Sequence, residues 1–200
     1  MFESRAYRFA LGLSRLILLN LAWAVASLPV VTFIPATAAM FGVVREWRRG
    51  DEPNIFPSFV RHFRVNFRQA FGIGLLWLLT AVVLVLDYRL AGQLPGPAQL
   101  PFLVLTTIIA IAFAMTSVYL CPVMVEYQAD WKTLIRNSFL ISLSQFHTSV
   151  AALAVVAVGG FLGLRLPLTL LIVPSGVAYL VHAICSRGLR RVERIKSTAT

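Results

Sequence analysis

The sequence predicts an all-α, polytopic transmembrane helical bundle of about six membrane segments, with amphipathic helices on its cytoplasmic side. Of the 200 residues, 58% are hydrophobic and 13% are charged, and the mean hydropathy is +0.80. A soluble domain is about 45–50% apolar and about 25% charged, so this chain needs lipid around it. The apolar runs are continuous rather than alternating, which indicates helices. The length suits a single integral membrane domain, residues 1–200.

The apolar runs define the segments, since a helical span takes about 20 apolar residues. Residues 9–28 and 30–44 are together too long for one span, and Pro29 and Pro35 mark a break between them. We therefore expect a proline-broken hairpin. Two alternatives are one merged span, giving five in total, and a cleaved signal peptide, which Arg15 and Asn20 disfavour by interrupting the apolar run. The later spans are predicted at residues 70–86, 100–120, 150–164 and 168–184.

Residues 45–69 are polar and basic, with phenylalanines at helical spacing from position 56 to position 67. Arg61, Arg64 and Arg68 form a separate stripe beside them. This pattern predicts an amphipathic helix at the membrane surface, with its arginines toward anionic lipid headgroups. A second polar stretch, residues 126–144, predicts another helix, with Asp130 as its N-cap.

The net charge of +10 raises the possibility of a nucleic-acid partner, but its placement favours a membrane protein. With six segments and both termini inside, fifteen lysines and arginines lie on the inner side, and only Arg89 and Arg165 lie outside. This asymmetry is typical of cytoplasmic loops. We expect a multi-pass protein of the bacterial plasma membrane with both termini cytoplasmic and no nucleic-acid partner. The five-span alternative fits the charges less well.

No motif for catalysis, a metal or a cofactor is evident. The three histidines lack a second ligand at metal spacing, and we expect them to form hydrogen bonds at helix interfaces. Asp87 and Glu126 lie at span ends, where solvated or arginine-paired carboxylates are ordinary. Cys121 and Cys185 are expected to be buried thiols. The sequence therefore predicts a protein that is not an enzyme and needs no cofactor.

The broken hairpin is the one place where polar side chains and prolines meet inside the membrane. Proline frees backbone carbonyls that nearby polar groups must satisfy. Helix packing is one interpretation and a partner or ligand site is the other, since broken helices mark binding sites in transporters. The candidate site residues are Asn20, Trp23, Pro29, Thr32, Pro35 and Thr37.

Two further patterns bear on architecture. Phe63, Asn66, Phe67 and Gln69 resemble the residues 76 positions later, which suggests a weak internal repeat. Gly159 and Gly163 form a small-residue spacing that permits close helix contact, with a partner helix that the sequence leaves open.

Several runs resemble the YesL family of bacterial membrane proteins, over residues 20–150. They are Asn20 to Trp23, Pro29 to Thr32, Pro35 to Ala39, Trp47, Pro53 to Phe56, Phe59, Asn66-Phe67, Cys121 to Met124 and Ile135 to Phe139. The resemblance implies no established activity and no active-site residues. It implies a gene neighbourhood of carbohydrate ABC importers, hence an accessory, non-enzymatic role in sugar uptake with importer subunits as partners. The alternative is a small transporter or channel acting alone.

Overall fold

The computed structural model describes residues 3–93, 96–127, 130–165 and 172–198. Within these ranges the chain is all-α, as predicted, with short 3-10 turns at Val30–Thr32 and Gly96–Ala98. The helices are α1 (Glu3–Ala26), α2 (Phe33–Arg49), α3 (Ile55–Ala91), α4 (Gln99–Glu126), α5 (Trp131–Ser144), α6 (Phe146–Arg165) and α7 (Val173–Thr198).

Four helical segments are long and apolar enough to cross a membrane: Val30–Arg49, Ile55–Ala91, Gln99–Glu126 and Phe146–Gly163. Two shorter apolar helices, Leu11–Ala26 and Val173–Cys185, occupy the first and last predicted segments. The start of the last predicted span and most of the 165–167 turn lie outside the described residues, as do Leu94 and Pro95 of the α3–α4 loop.

The first hairpin is broken where the prolines predict. Helix α1 ends at Ala26, and α2 begins at Phe33 with Pro35 in its first turn, where proline removes no helical hydrogen bond. The side chains of Trp23 and Thr37 meet close to the turn. Farther from it, Arg15 meets Glu52, just beyond the end of α2. Contacts that lie farther from the turn along α1 also lie farther from it along the chain that follows, so α1 and α2 are antiparallel. The first two segments are therefore separate helices.

Helix α2 lies at the centre of the bundle. Nine of its residues are buried, in an almost unbroken run from Pro35 to Val44. Ala36, Ala38, Ala39 and Gly42 are small, and small residues let helix backbones approach closely. This composition explains why α2 packs against α1, α3, α4 and α7.

Helix α3 corrects the prediction of a separate surface helix. The amphipathic stretch and the following span form one uninterrupted helix of 37 residues, Ile55–Ala91. At 1.5 Å per residue it is about 55 Å long, well beyond the hydrocarbon thickness of about 30 Å. The predicted boundary between Gln69 and Ala70 is therefore only a change in side-chain polarity along one continuous helix.

Helix α4 extends past its predicted end at residue 120 and contains Pro122. The residue is buried, and its missing N–H leaves one turn of the helix without its usual bond. Helix α5 then begins after Asp130, the predicted N-cap, although the Asp130 side chain makes no capping hydrogen bond.

The suggested repeat has a counterpart in the element boundaries. Asn54 and Asp130 are the N-cap residues of α3 and α5, and they stand 76 positions apart, which is the offset read from the sequence. The first copy continues as one helix, whereas the second is interrupted at Gln145 between α5 and α6. A similar start therefore leads to a straight helix in one half and a broken one in the other.

Gly159 packs against the chain's own last helix. A Cβ added at Gly159 would lie 2.4 Å from Cγ2 of Val177, whereas one at the neighbouring Gly160 would meet nothing within 4 Å. The close contact that the small-residue spacing predicts is thus made within the chain, between α6 and α7.

The outer half of α3 and the first half of α4 present apolar side chains outward. Leu79, Val85 and Leu90 on α3, with Leu105 and Ile108 on α4, are all more than half exposed. Exposed aliphatic faces on two long helices are what a lipid environment requires.

Candidate functional site

Asn20 links the first helix to the last. Its Nδ2 donates to Ser175 Oγ at 2.9 Å, and its Oδ1 accepts from the Ser175 N–H at 2.8 Å. Ser175 lies in the first turn of α7, where backbone N–H groups have no partner within their own helix. The buried amide of Asn20 therefore caps α7 from a helix 155 residues earlier in the chain.

The other polar candidates close the break itself. Trp23 Nε1 donates to Thr37 Oγ1 at 3.2 Å, and the Thr37 hydroxyl donates to the Phe33 carbonyl at 2.7 Å. The Thr32 hydroxyl lies 2.7 Å from the carbonyl oxygen of Ala26, the last residue of α1. A carbonyl at a helix end lacks an intrahelical donor, and Thr32 supplies one.

The structure therefore gives five of the six hairpin candidates a place in helix packing, at the break or, for Asn20, against α7. Asn20, Trp23, Thr32 and Thr37 each have a polar partner within the chain, and Pro35 is buried. Pro29 is exposed at the turn. These contacts are the ones that helix packing requires. A ligand or partner at this break stays a prediction.

The basic stripe is divided in two by its contacts. Arg61 bonds to the carboxylate of Glu46 across the α2–α3 interface. Arg64 and Arg68, on later turns of α3, are exposed. The three arginines were predicted as one surface; all three are exposed, and the first also makes a helix–helix contact.

A charged cluster that the sequence reading missed occupies the end of α2. We call it the charged end, and its members are Arg45, Glu46, Arg48, Arg49, Arg61, His62, Glu126 and His182. It joins the C-terminal turns of α2 and α4 to the first turns of α3 and the middle of α7.

Glu126 binds two arginines of α2. Arg45 Nε lies 3.0 Å from its Oε2 in an ion-pair contact, and Arg49 Nη2 lies 3.1 Å from its Oε1. Arg45 Nη1 also donates to the Val125 carbonyl at 2.7 Å, one of the carbonyls left open at the end of α4. Arg45 and Glu126 are half-buried, so removing one of them would leave the other charge poorly solvated. Of the two expected states of Glu126, solvated or arginine-paired, the structure shows the arginine-paired one.

Arg48 binds the last helix, α7, through both the ring and the backbone carbonyl of one histidine. Its Nη1 lies 2.9 Å from His182 Nδ1 and 2.8 Å from the His182 carbonyl oxygen. Because arginine is only a donor, Nδ1 is the accepting nitrogen of the ring. The guanidinium also lies 6.0 Å from the centre of the Tyr179 ring, within cation–π range.

The Glu46 carboxylate of α2 forms hydrogen bonds with three side chains of α3. Its Oε1 lies 2.8 Å from His62 Nε2, and it also accepts from Ser58 and Arg61. The His62 ring lies directly over Gly42, where an added Cβ would stand 2.4 Å from the ring Cγ. Glycine is thus required for α2 and α3 to meet at this depth. The expected interface role of the histidines is confirmed for His62 and His182.

A further ion pair, whose members are not part of the charged end, lies near the same end of α2. Arg15 of α1 and Glu52 of the α2–α3 loop are 3.0 Å apart, with side chains 34% and 74% exposed. The Arg15 guanidinium, by hydrogen bond and by charge, holds the pKa of the Glu52 carboxyl below its ordinary value. Grooves of about 810 and 670 Å³ open on either side of the pair.

Little in the sequence distinguishes these arginines from ordinary loop charges. The one feature that could have indicated the charged end is Glu46, a single acid among three arginines, because such an acid has basic partners nearby. Within the described residues, no three His, Cys, Asp or Glu side chains gather as a metal site.

Comparison with known proteins places the chain among uncharacterised relatives. Residues 16–88, which cover the second half of α1, all of α2 and most of α3, match a family described as protein of unknown function, DUF624. The chain is 33% identical over 141 residues to the uncharacterized protein YesL of Bacillus subtilis (strain 168), covering 68% of this chain and 66% of YesL. It is 28% identical over 170 residues to the uncharacterized protein YteU of the same organism, covering 82% of this chain and 75% of YteU.

No solved structure matches the chain significantly. The aligned stretch spans just under two thirds of the length of YesL, and it confirms the resemblance seen in the residues around the broken hairpin. The chain belongs to the YesL-like family of DUF624 proteins.

Proposed function

We propose that this chain is a non-enzymatic, multi-pass protein of the bacterial plasma membrane that acts as an accessory component of ABC-type carbohydrate uptake. The importer connection rests on the gene neighbourhood that the family resemblance implies. The membrane connection is supported by the four long apolar helices.

In the proposed threading, six segments place both termini and the charged end in the cytoplasm. Two observations support it. The basic groups of α1, α2 and α3 gather at one end through the Arg15–Glu52, Arg45–Glu126 and Arg61–Glu46 pairs. Arg89 lies 28 residues beyond Arg61 on the same helix, about 42 Å away. The charges are thereby separated by more than the hydrocarbon thickness of about 30 Å.

The observation that carries the accessory role is the division of the basic stripe. All three arginines are exposed, and of the three only Arg61 bonds to Glu46 within the chain. Arg64 and Arg68 stand one turn apart on α3. Exposed arginines are common anchors of protein interfaces. They are the proposed contact point for an importer subunit.

Purification from native membranes in mild detergent tests this proposal. We expect importer subunits to co-purify stoichiometrically with the wild type and with the control Arg165→Gln, which alters the opposite end. The double variant R64Q/R68Q should lose them. Uptake of a sugar into proteoliposomes that contain this chain alone would overturn the accessory role and favour an independent transporter.

A further inference from the structure

The larger groove runs between α1 and the first turns of α3, and its walls are apolar. It has a volume of about 810 Å³, within the range of small-molecule sites. Four large side chains in its lining are more than half exposed: Leu18 at 53%, Leu21 at 52%, Val25 at 62% and Phe56 at 69%. Exposed aliphatic and aromatic groups on two neighbouring helices form a surface for hydrocarbon.

The charge in this groove is confined to one end. Arg15 and Glu52 are the charged residues of the lining, and Ala26 and Phe63 lie at the opposite end. From Arg15 to Ala26 the helix rises about 16 Å. Half of the hydrocarbon core of a bilayer is about 15 Å. The groove therefore has the length and polarity of one lipid in one leaflet.

We propose that this groove is a binding site for a single phospholipid with a phosphoethanolamine headgroup. The acyl chains lie along Leu18, Leu21 and Phe56, the phosphate accepts from the Arg15 guanidinium, and the ammonium donates to the Glu52 carboxylate. The proposal rests on the membrane placement given above and is independent of the importer.

The paired charges select this headgroup. Arginine has five N–H donors, so Arg15 can hold a phosphate while keeping its 3.0 Å bond to Glu52. A headgroup with net negative charge would meet repulsion from Glu52 and find no second cation in the groove lining. A choline headgroup carries no N–H and cannot donate to the carboxylate. A primary ammonium beside a phosphate matches both charges.

Native mass spectrometry of the delipidated full chain tests the site. The probes are phosphatidylethanolamine, phosphatidylcholine and phosphatidylglycerol with identical acyl chains. We expect the wild type to retain the ethanolamine lipid about tenfold better than the other two, as one charge-assisted hydrogen bond predicts. Equal retention of the three lipids, or highest retention of the glycerol lipid, would overturn the proposal.

Variants separate the headgroup contacts from the apolar wall. Arg15→Gln should lower retention of the ethanolamine lipid about tenfold, and Ala22→Phe should lower retention of all three lipids by filling the groove. Glu52→Gln removes both the partner of the ammonium and the repulsion, so the preference should move to phosphatidylglycerol. The control Arg64→Gln, outside the groove, should behave as wild type.

Glu52→Gln is decisive even if Arg15→Gln fails to fold, because Glu52 lies in an exposed loop. An unchanged lipid preference in Glu52→Gln would refute the headgroup assignment. Failure of the wild type to co-purify importer subunits, with its lipid selectivity intact, would refute only the accessory role. Importer co-purification by the wild type without lipid selectivity would refute only the lipid site.

Discussion

Replacement of Gly42 by alanine tests how closely the two central helices must approach. The added Cβ would lie 2.4 Å from Cγ, 2.7 Å from Nδ1 and 2.8 Å from Cδ2 of His62. Contacts this short force the imidazole to move. The ring is held by its 2.8 Å bond to Glu46, so the substitution disturbs both the packing and the carboxylate partner.

The magnitude follows from these two contributions. Overpacking a well-filled site costs about 1–3 kcal/mol, and losing the His62–Glu46 hydrogen bond costs about 1 kcal/mol more. The better helix propensity of alanine offsets about 1 kcal/mol. We therefore expect Gly42→Ala to lower the free energy of unfolding by about 1–3 kcal/mol.

The assay is unfolding in mixed micelles by added SDS, followed by loss of helical circular dichroism. Gly72→Ala is the matched control, because a Cβ at Gly72 meets nothing within 4 Å, and it should be neutral or stabilising. In a His62→Ala background the penalty of Gly42→Ala should largely vanish. Equal effects of Gly42→Ala and Gly72→Ala, or no rescue by His62→Ala, would refute the proposed close packing.

Three further outcomes are expected from other contacts. Asn20→Leu should lower the free energy of unfolding by about 1–3 kcal/mol by leaving the first-turn N–H of α7 unpaired, and Ser175→Ala should add little to it; additive losses would contradict a shared interaction. Glu126→Gln should destabilise by a similar amount, since it leaves the charge of Arg45 without its counterion. In an Arg45→Gln background, Glu126→Gln should cause no such loss of stability. A membrane-impermeant thiol reagent added to intact cells should label Arg89→Cys but not Arg64→Cys; the opposite pattern would overturn the threading.

Several features of the fold follow from local sequence because their causes are local. Long apolar runs specify helices in lipid, and the prolines at 29 and 35 place the break between α1 and α2. Asn54 and Asp130 come directly before α3 and α5, and they are 76 positions apart, which is the offset read from the sequence. Polarity, by contrast, misplaced the boundaries: spans were predicted to begin at residue 70 and to end at residue 120, although α3 already begins at Ile55 and α4 continues to Glu126.

The sequence by itself determined that the chain is an all-α protein suited to lipid and broken at its first hairpin, because composition, helical runs and prolines act within a few residues. Tertiary structure decided the roles of the polar side chains. Only packing brings Asn20 to Ser175 and Arg48 to His182, across 155 and 134 residues. It also divided the basic stripe by placing Glu46 beside Arg61 and not beside Arg64. An arginine reads the same in a sequence whether it faces water or a carboxylate, since its partner is set by which helices meet.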